Sequence, residues 1–387
     1  MKNYSVALVT MVFFTCTRSH GYEKWNAPDR RLRLDQVSFV GAHNALIAKE
    51  DKWIYAQQQW ELTKQLDEGI RAFEIDIGSQ PGKNKLFICH GSCKNIEDKL
   101  QRGLASYDTF ISKMQELARW LKKNPQEIVV LTLDNMRDKD IKQNQFDRNI
   151  EMLSDDIRDL ILTNADWNPM DHNGDWPTLQ AMNDHLKQIV IFNPLKFGST
   201  QDSPQYTYDM WKYVVGNRGS VSDPKAYTMM RGDSRRAYAP DQEEERKKYQ
   251  RFFLLYHSNL ASEDYALSGY KTAKQAEATT KEMGAKLGFK TDAATAREEA
   301  NEISALKVSK SDYATIKKVV DDCKAAGLMN GKNPNWLMID WTNRFIESNG
   351  ISMVNGWNDE AASQIQGGDL KKNHRLKVRP KGINLRR

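Results

Sequence analysis

The run Ile128-Val129-Val130-Leu131-Thr132-Leu133, followed at once by Asp134-Asn135, places the strongest constraint on the fold of this 387-residue chain. A near-continuous apolar, β-branched segment of this length suits a strand covered on both faces, as strands are in parallel sheets dressed with helices. The surrounding sequence keeps the same alternation. Residues 37–40 are apolar and end at Gly41-Ala42-His43-Asn44, residues 70–77 predict a second strand, and residues 86–89 predict a third that ends at His90. Residues 128–133 make the fourth, and 189–192, 252–256 and 336–339 bring the number to seven. Between the first two strands, Ile54, Leu62 and Leu66 fall at helical spacing in a helix that stops at Gly69. Residues 107–123 carry Phe110, Ile111, Met114, Leu117 and Leu121 on one side of a helix closed by Asn124-Pro125. This alternation predicts an α/β fold, a TIM-like (β/α)8 barrel that is irregular because an eighth strand is not evident. The Ala- and Lys-rich stretch 261–327 has no strand signal and is expected to be a helical insertion over the barrel.

Residues 1–21 predict a secretory signal peptide. Lys2 supplies the positive end, residues 4–14 are mostly apolar, and Ser19-His20-Gly21 follow near a plausible cut. With these flanks the segment is too short for a membrane span; a buried N-terminal strand is the alternative. Residues 22–366 read as one domain, and the expected product is exported, extracellular and monomeric. Cysteine usage agrees: Cys16 falls in the leader, and Cys89 and Cys93 flank His90-Gly91 closely enough to pair in an oxidising compartment, leaving Cys323 over. A zinc site there is the alternative, and it lacks a fourth ligand nearby.

The net charge of +6 is unevenly spread, because residues 371–387 hold eight Lys or Arg and no acid. The segment 367–387 is therefore a basic tail, read either as a solvated end or as a contact to anionic lipid at roughly 1 kcal/mol per cation near a charged membrane. No aromatic-interleaved basic motif is present, which, with export, disfavours nucleic acid as a partner.

Chemistry-bearing residues gather where the first four strands are expected to end: His43 and Asn44, Glu74 and Asp76, His90, and Asp134. In a TIM-like barrel those ends converge on the active face. Glu74 and Asp76 are two apart on a strand and so point the same way. Facing the barrel interior, they require a cation. With the Asn44 carbonyl and the Asp134 carboxylate they make an all-oxygen set suited to Ca²⁺, with Mg²⁺ the lesser fit. His43 and His90 flank it as candidates for general base and general acid, and a phosphodiester placed there would have its developing charge neutralised by the metal. Lys196 and Arg218 are candidate phosphate or headgroup contacts, against the plainer reading as surface cations; Arg71 is left structural.

Ser38-Phe39-Val40-Gly41-Ala42-His43-Asn44 resembles the opening motif of the X region of phosphoinositide phospholipases C. Residues 65–76, from Gln65-Leu66-Asp67-Glu68-Gly69 to Phe73-Glu74-Ile75-Asp76, resemble the second motif, Phe87-Ile88-Cys89-His90-Gly91 the third, and Asn124-Pro125 through Leu133-Asp134-Asn135 the fourth. Residues 333–340 resemble the late strand of secreted relatives. Where the metal-independent branch carries Asp, Arg and Lys, this chain has Asn44, Asp76 and Asp134, which matches the calcium-dependent branch. The resemblance implies attack of the inositol 2-hydroxyl on phosphorus at a membrane surface, with release of diacylglycerol and a cyclic phosphodiester. It assigns His43 to the attack or its transition state, His90 to the leaving oxygen, and Glu74 or Asp76 to the base. A related diester (a GPI anchor, a lysophospholipid or a glycerophosphodiester) is the competing substrate class, and a secreted binding protein without turnover is the non-enzyme alternative.

Overall fold

A computed structural model describes residues 22–51, 53, 56–79, 84–89, 105–134, 143–193, 206–217, 230–231, 252–257, 312–325 and 333–366. The described strands are β1 (Phe39–Ala42), β2 (Ala72–Ser79), β3 (Leu86–Cys89), β4 (Ala105–Thr109), β5 (Val129–Asp134), β6 (Ile189–Asn193), β7 (Tyr208–Asp209), β8 (Val214–Asn217), β9 (Met230–Arg231), β10 (Phe252–His257) and β11 (Trp336–Ile339). Eight of them form a curled parallel sheet in the order β7-β6-β5-β2-β1-β11-β10-β8. Sequence neighbours thus lie beside one another around the curl, and β1 pairs with β11 across the chain's length. This is the α/β barrel the alternation predicts. Its irregularity lies at β7, two residues long, and among the described residues no ladder joins β7 to β8.

Strand pleating sorts the side chains into two cores. Phe39, Ala72, Val130, Val190, Phe192, Phe252, Leu254, Trp336 and Met338 belong to one buried cluster, the barrel interior. Val40, Ala42, Phe73, Ile75, Val129, Leu131, Ile189, Ile191, Leu337 and Ile339 belong to the other, against the helices. The interior is strongly aromatic: Trp336 lies 4.8 Å from Phe192 and 4.9 Å from Phe252, ring centre to ring centre. On the same parity as Ala72 come Glu74 and Asp76, and on that of Val130 comes Thr132. The interior face is therefore apolar low on β2 and acidic toward its C-terminal end.

Helices dress the outer face. Phe110–Lys123 starts at an N-cap, Thr109, whose hydroxyl accepts from the Ser112 amide at 3.1 Å, and it buries Phe110, Met114, Leu117 and Leu121. The expected start at residue 107 is corrected, because Ala105–Thr109 is spent on β4. The helix expected across Ile54 to Leu66 is confined to Leu62–Asp67. Backbone bonds from Gln57 and Gln58 to the Ile47 carbonyl hold residues 57–58 against the earlier loop instead. Ile54 lies outside the described residues. Within 261–327, Tyr313–Ala325 is helical and sinks Ile316 and Val320 into the outer core; 261–311 and the tail 367–387 lie outside the described residues.

Arg71 is structural, as expected. Its guanidinium sits 4.7 Å from the Trp120 ring and 5.6 Å from that of Trp25, pairs with Glu127 at 2.8 Å, and donates to the Leu66 and Ile70 carbonyls.

Candidate active site at the barrel rim

β2 carries two ladders end to end. From Ala72 to Asp76 it pairs in parallel with β5, Asp76 opposite Asp134; from Ile77 to Ser79 it pairs antiparallel with β3. This corrects two expectations. Residues 86–89 do form a strand, but it is antiparallel and stands outside the parallel sheet. Glu74 and Asp76 lie within a strand, not at its end. They still reach the rim, because the barrel part of β2 stops at Asp76 while the strand continues.

Four predicted site residues come together there. His43 follows β1 and donates its backbone N–H to the Ile339 carbonyl at 3.1 Å. Its Nδ1 lies 2.7 Å from Asp340 Oδ1, and its Nε2 lies 3.9 Å from Glu74 Oε2 and 3.4 Å from the Asn44 amide. Asn44 sits at φ 47°, in the left-handed region that Asn tolerates better than most residues. This turn swings its side chain back toward β2. Glu74, Asp76, Asn44 and Asp340 are all buried. Burial opposes a charged ring at His43, but the surrounding carboxylates of Glu74, Asp340 and Asp76 prevail and push it up to about 10.

Asn44 Nδ2 donates to Gln57 Oε1 at 2.8 Å. The opposite end of the same amide then lies 3.2 and 3.1 Å from the two Asp76 carboxylate oxygens. With the oxygen at that end, three oxygens face one another, an arrangement that suits a cation; with the amide reversed, its nitrogen donates to Asp76 directly. The donor chemistry of Asn44, Glu74 and Asp76 therefore fits a hard cation such as Ca²⁺. Among the described residues no three His, Cys, Asp or Glu side chains form a metal cluster. Two of the four expected ligands, Glu74 and Asp76, fall within that definition there. Asn44 is an amide, and Asp134 is described by its backbone alone, paired with Asp76.

His90, Cys93, Lys196 and Arg218 lie outside the described residues. Cys89 is fully buried and disulfide-bonded. Three residues of the rim were not singled out from sequence. Asp340 follows the apolar run of β11 as His43 follows β1, so the same strand-end reading would have found it. Gln57 and Gln58 sit in a polar stretch, Gln57-Gln58-Gln59, with no periodicity to distinguish them.

A parallel α/β barrel bearing an imidazole–carboxylate pair beside an oxygen cluster at its C-terminal rim defines a class suited to acid–base chemistry. The chain belongs to the PI-PLC X family, whose model matches residues 30–236, more than half of it. It is 30% identical over 194 residues to the PI-PLC X domain-containing protein 1 of Arthroderma benhamiae, covering 49% of this chain and 56% of that protein. An uncharacterized secreted protein of the same organism is 25% identical over 211 residues, 54% of this chain and 39% of that one. The chain thus spans about half the length of the curated relatives it matches. Among solved structures, a phosphatidylinositol-specific phospholipase C from Listeria monocytogenes aligns with a TM-score of 0.45 at 14% identity, covering 85% of this chain and 96% of that one.

Proposed function

We propose that this chain is a secreted, calcium-dependent phosphodiesterase that cleaves phosphatidylinositol, or a related inositol phospholipid, to diacylglycerol and inositol cyclic phosphate. The observation that carries the reading is the placement of His43, bonded to Asp340 on one side and facing Glu74 and the Asn44 amide on the other. Family membership and the matching motifs support the reaction class.

Asp340 accepts from Nδ1 and so fixes the ring plane and aims Nε2 at the rim. There the His43 imidazolium donates a hydrogen bond to the phosphoryl oxygen as negative charge grows on it. Glu74, on the far side of Nε2, accepts the proton of the inositol 2-hydroxyl as its oxygen bonds to phosphorus. The bond from phosphorus to the diacylglycerol oxygen breaks, and His90 gives that oxygen its proton, which closes the proton balance. Asn44, Glu74, Asp76 and Asp134 would hold the Ca²⁺. When bound, the cation supplies Lewis-acid neutralisation of the phosphate charge. Lys196 and Arg218 are proposed contacts to the phosphate or headgroup, and the basic tail 371–387 to anionic lipid. A signal peptide at 1–21 and a Cys89–Cys93 disulfide complete the secreted reading.

Phosphorus NMR of the products from phosphatidylinositol vesicles tests it. Inositol cyclic phosphate is expected from the wild type, and none from a folded His90→Ala protein. Glycerol phosphate, or the lipid phosphate left when choline departs, formed from other diesters in preference, would move the chain to the competing substrate class. Absence of turnover on every diester would favour a binding protein.

A further inference from the structure

Gln58 is fully buried, and every polar atom of its side chain is engaged. Nε2 donates to the His43 carbonyl at 2.7 Å and to the Ile339 carbonyl at 2.8 Å. Oε1 accepts from the Thr342 backbone N–H at 3.1 Å and from its hydroxyl at 2.9 Å. The backbone of Gln58 is fixed as well: its N–H donates to the Ile47 carbonyl and its carbonyl accepts from Lys49. One carboxamide thereby ties His43 to the residues on either side of Asp340, the end of β11 and the first turn of the helix Thr342–Glu347. Trp341, between Asp340 and Thr342, takes φ 54° and donates its N–H to the Gln57 carbonyl, so the same loop also grips the strained residue next to Asp340.

We propose that Gln58 is a positioning residue that sets the His43–Asp340 hydrogen bond by stapling the ends of β1 and β11 together. β1 and β11 share a parallel ladder that ends at Ala42 and Ile339, so beyond those residues the two chains are free to diverge. The 2.7 Å contact between His43 and Asp340 lies in that stretch, one residue beyond the ladder on each strand. A bond from His43 N–H to Ile339 crosses there, and the Gln58 amide supplies four more contacts that span it. A buried amide with no remaining hydrogen-bonding capacity has one favoured orientation. Losing it would let the imidazole and carboxylate drift apart, and misplacement of about 1 Å can cost about 100-fold in rate. This inference rests on His43 being the working imidazole.

The test is proton NMR of the full chain with labelled histidine, read beside steady-state kinetics on phosphatidylinositol vesicles. A downfield His43 Nδ1 proton is expected in the wild type and is assigned by its loss in His43→Ala. Gln58→Met keeps the volume and removes all four contacts. It is expected to shift or broaden that signal and to lower kcat by about 10- to 100-fold with KM little changed. If Gln58→Met does not fold, Thr342→Val removes the hydroxyl contact alone and is expected to move the same signal by a smaller amount. A folded Gln58→Met, or failing that Thr342→Val, with the wild-type signal and wild-type kcat overturns the proposal. A wild type that shows the His43 signal but cleaves no inositol lipid would instead count against the proposed function, and the response of the signal to Gln58 would still decide the positioning role.

Discussion

His43 and Asp340 are 297 residues apart in sequence and 2.7 Å apart in space. A carboxylate at Nδ1 settles which nitrogen faces the rim and favours the charged ring. Asp340→Asn preserves the size of the side chain and removes that charge. It is expected to lower kcat by about 100- to 10,000-fold, by analogy with other imidazole–carboxylate pairs, with the far-ultraviolet spectrum unchanged. A variant with wild-type kcat would show that the pair is scaffolding. Asp76 makes a second prediction at this scale. Its carboxylate faces the Asn44 amide, so Asp76→Asn is expected to weaken Ca²⁺ binding by about tenfold or more in a calorimetric titration of the protein alone. Equal affinity in both proteins would remove Asp76 from the proposed ligand set.

At the scale of elements, β2 and its entry turn place the acidic residues. Gly69 holds φ 95°, and a Cβ there would come within 2.4 Å of Trp25 Cβ. Gly69→Ala is expected to destabilise the fold by about 1–3 kcal/mol, which thermal unfolding would register as a drop of several degrees. An unchanged midpoint would mean the turn relaxes without cost. The barrel strands were legible because being covered on both faces leaves β-branched runs such as 128–133 and 189–192. Glu74 and Asp76 were legible as a same-face pair because pleating carries that parity along β2. What was not legible has physical reasons. β7 is two residues long and leaves no periodic trace. β3 has the apolar composition of a barrel strand, and composition carries no information about strand direction. Gln58 acts through backbone carbonyls brought near by the fold, which no spacing in the sequence announces.

At the scale of the molecule, β1 pairs with β2 on one side and with β11 on the other, so residues far apart in the chain meet at one rim. The apolar interior beneath Glu74 and Asp76 keeps water from solvating them from below, and that is where the case for a bound divalent ion originates. One assay bears on it most directly: release of water-soluble inositol phosphate from phosphatidylinositol vesicles, with Ca²⁺ present and with excess chelator. Release that chelation abolishes and added Ca²⁺ restores is the expected result. Cleavage at the same rate in chelator would contradict it.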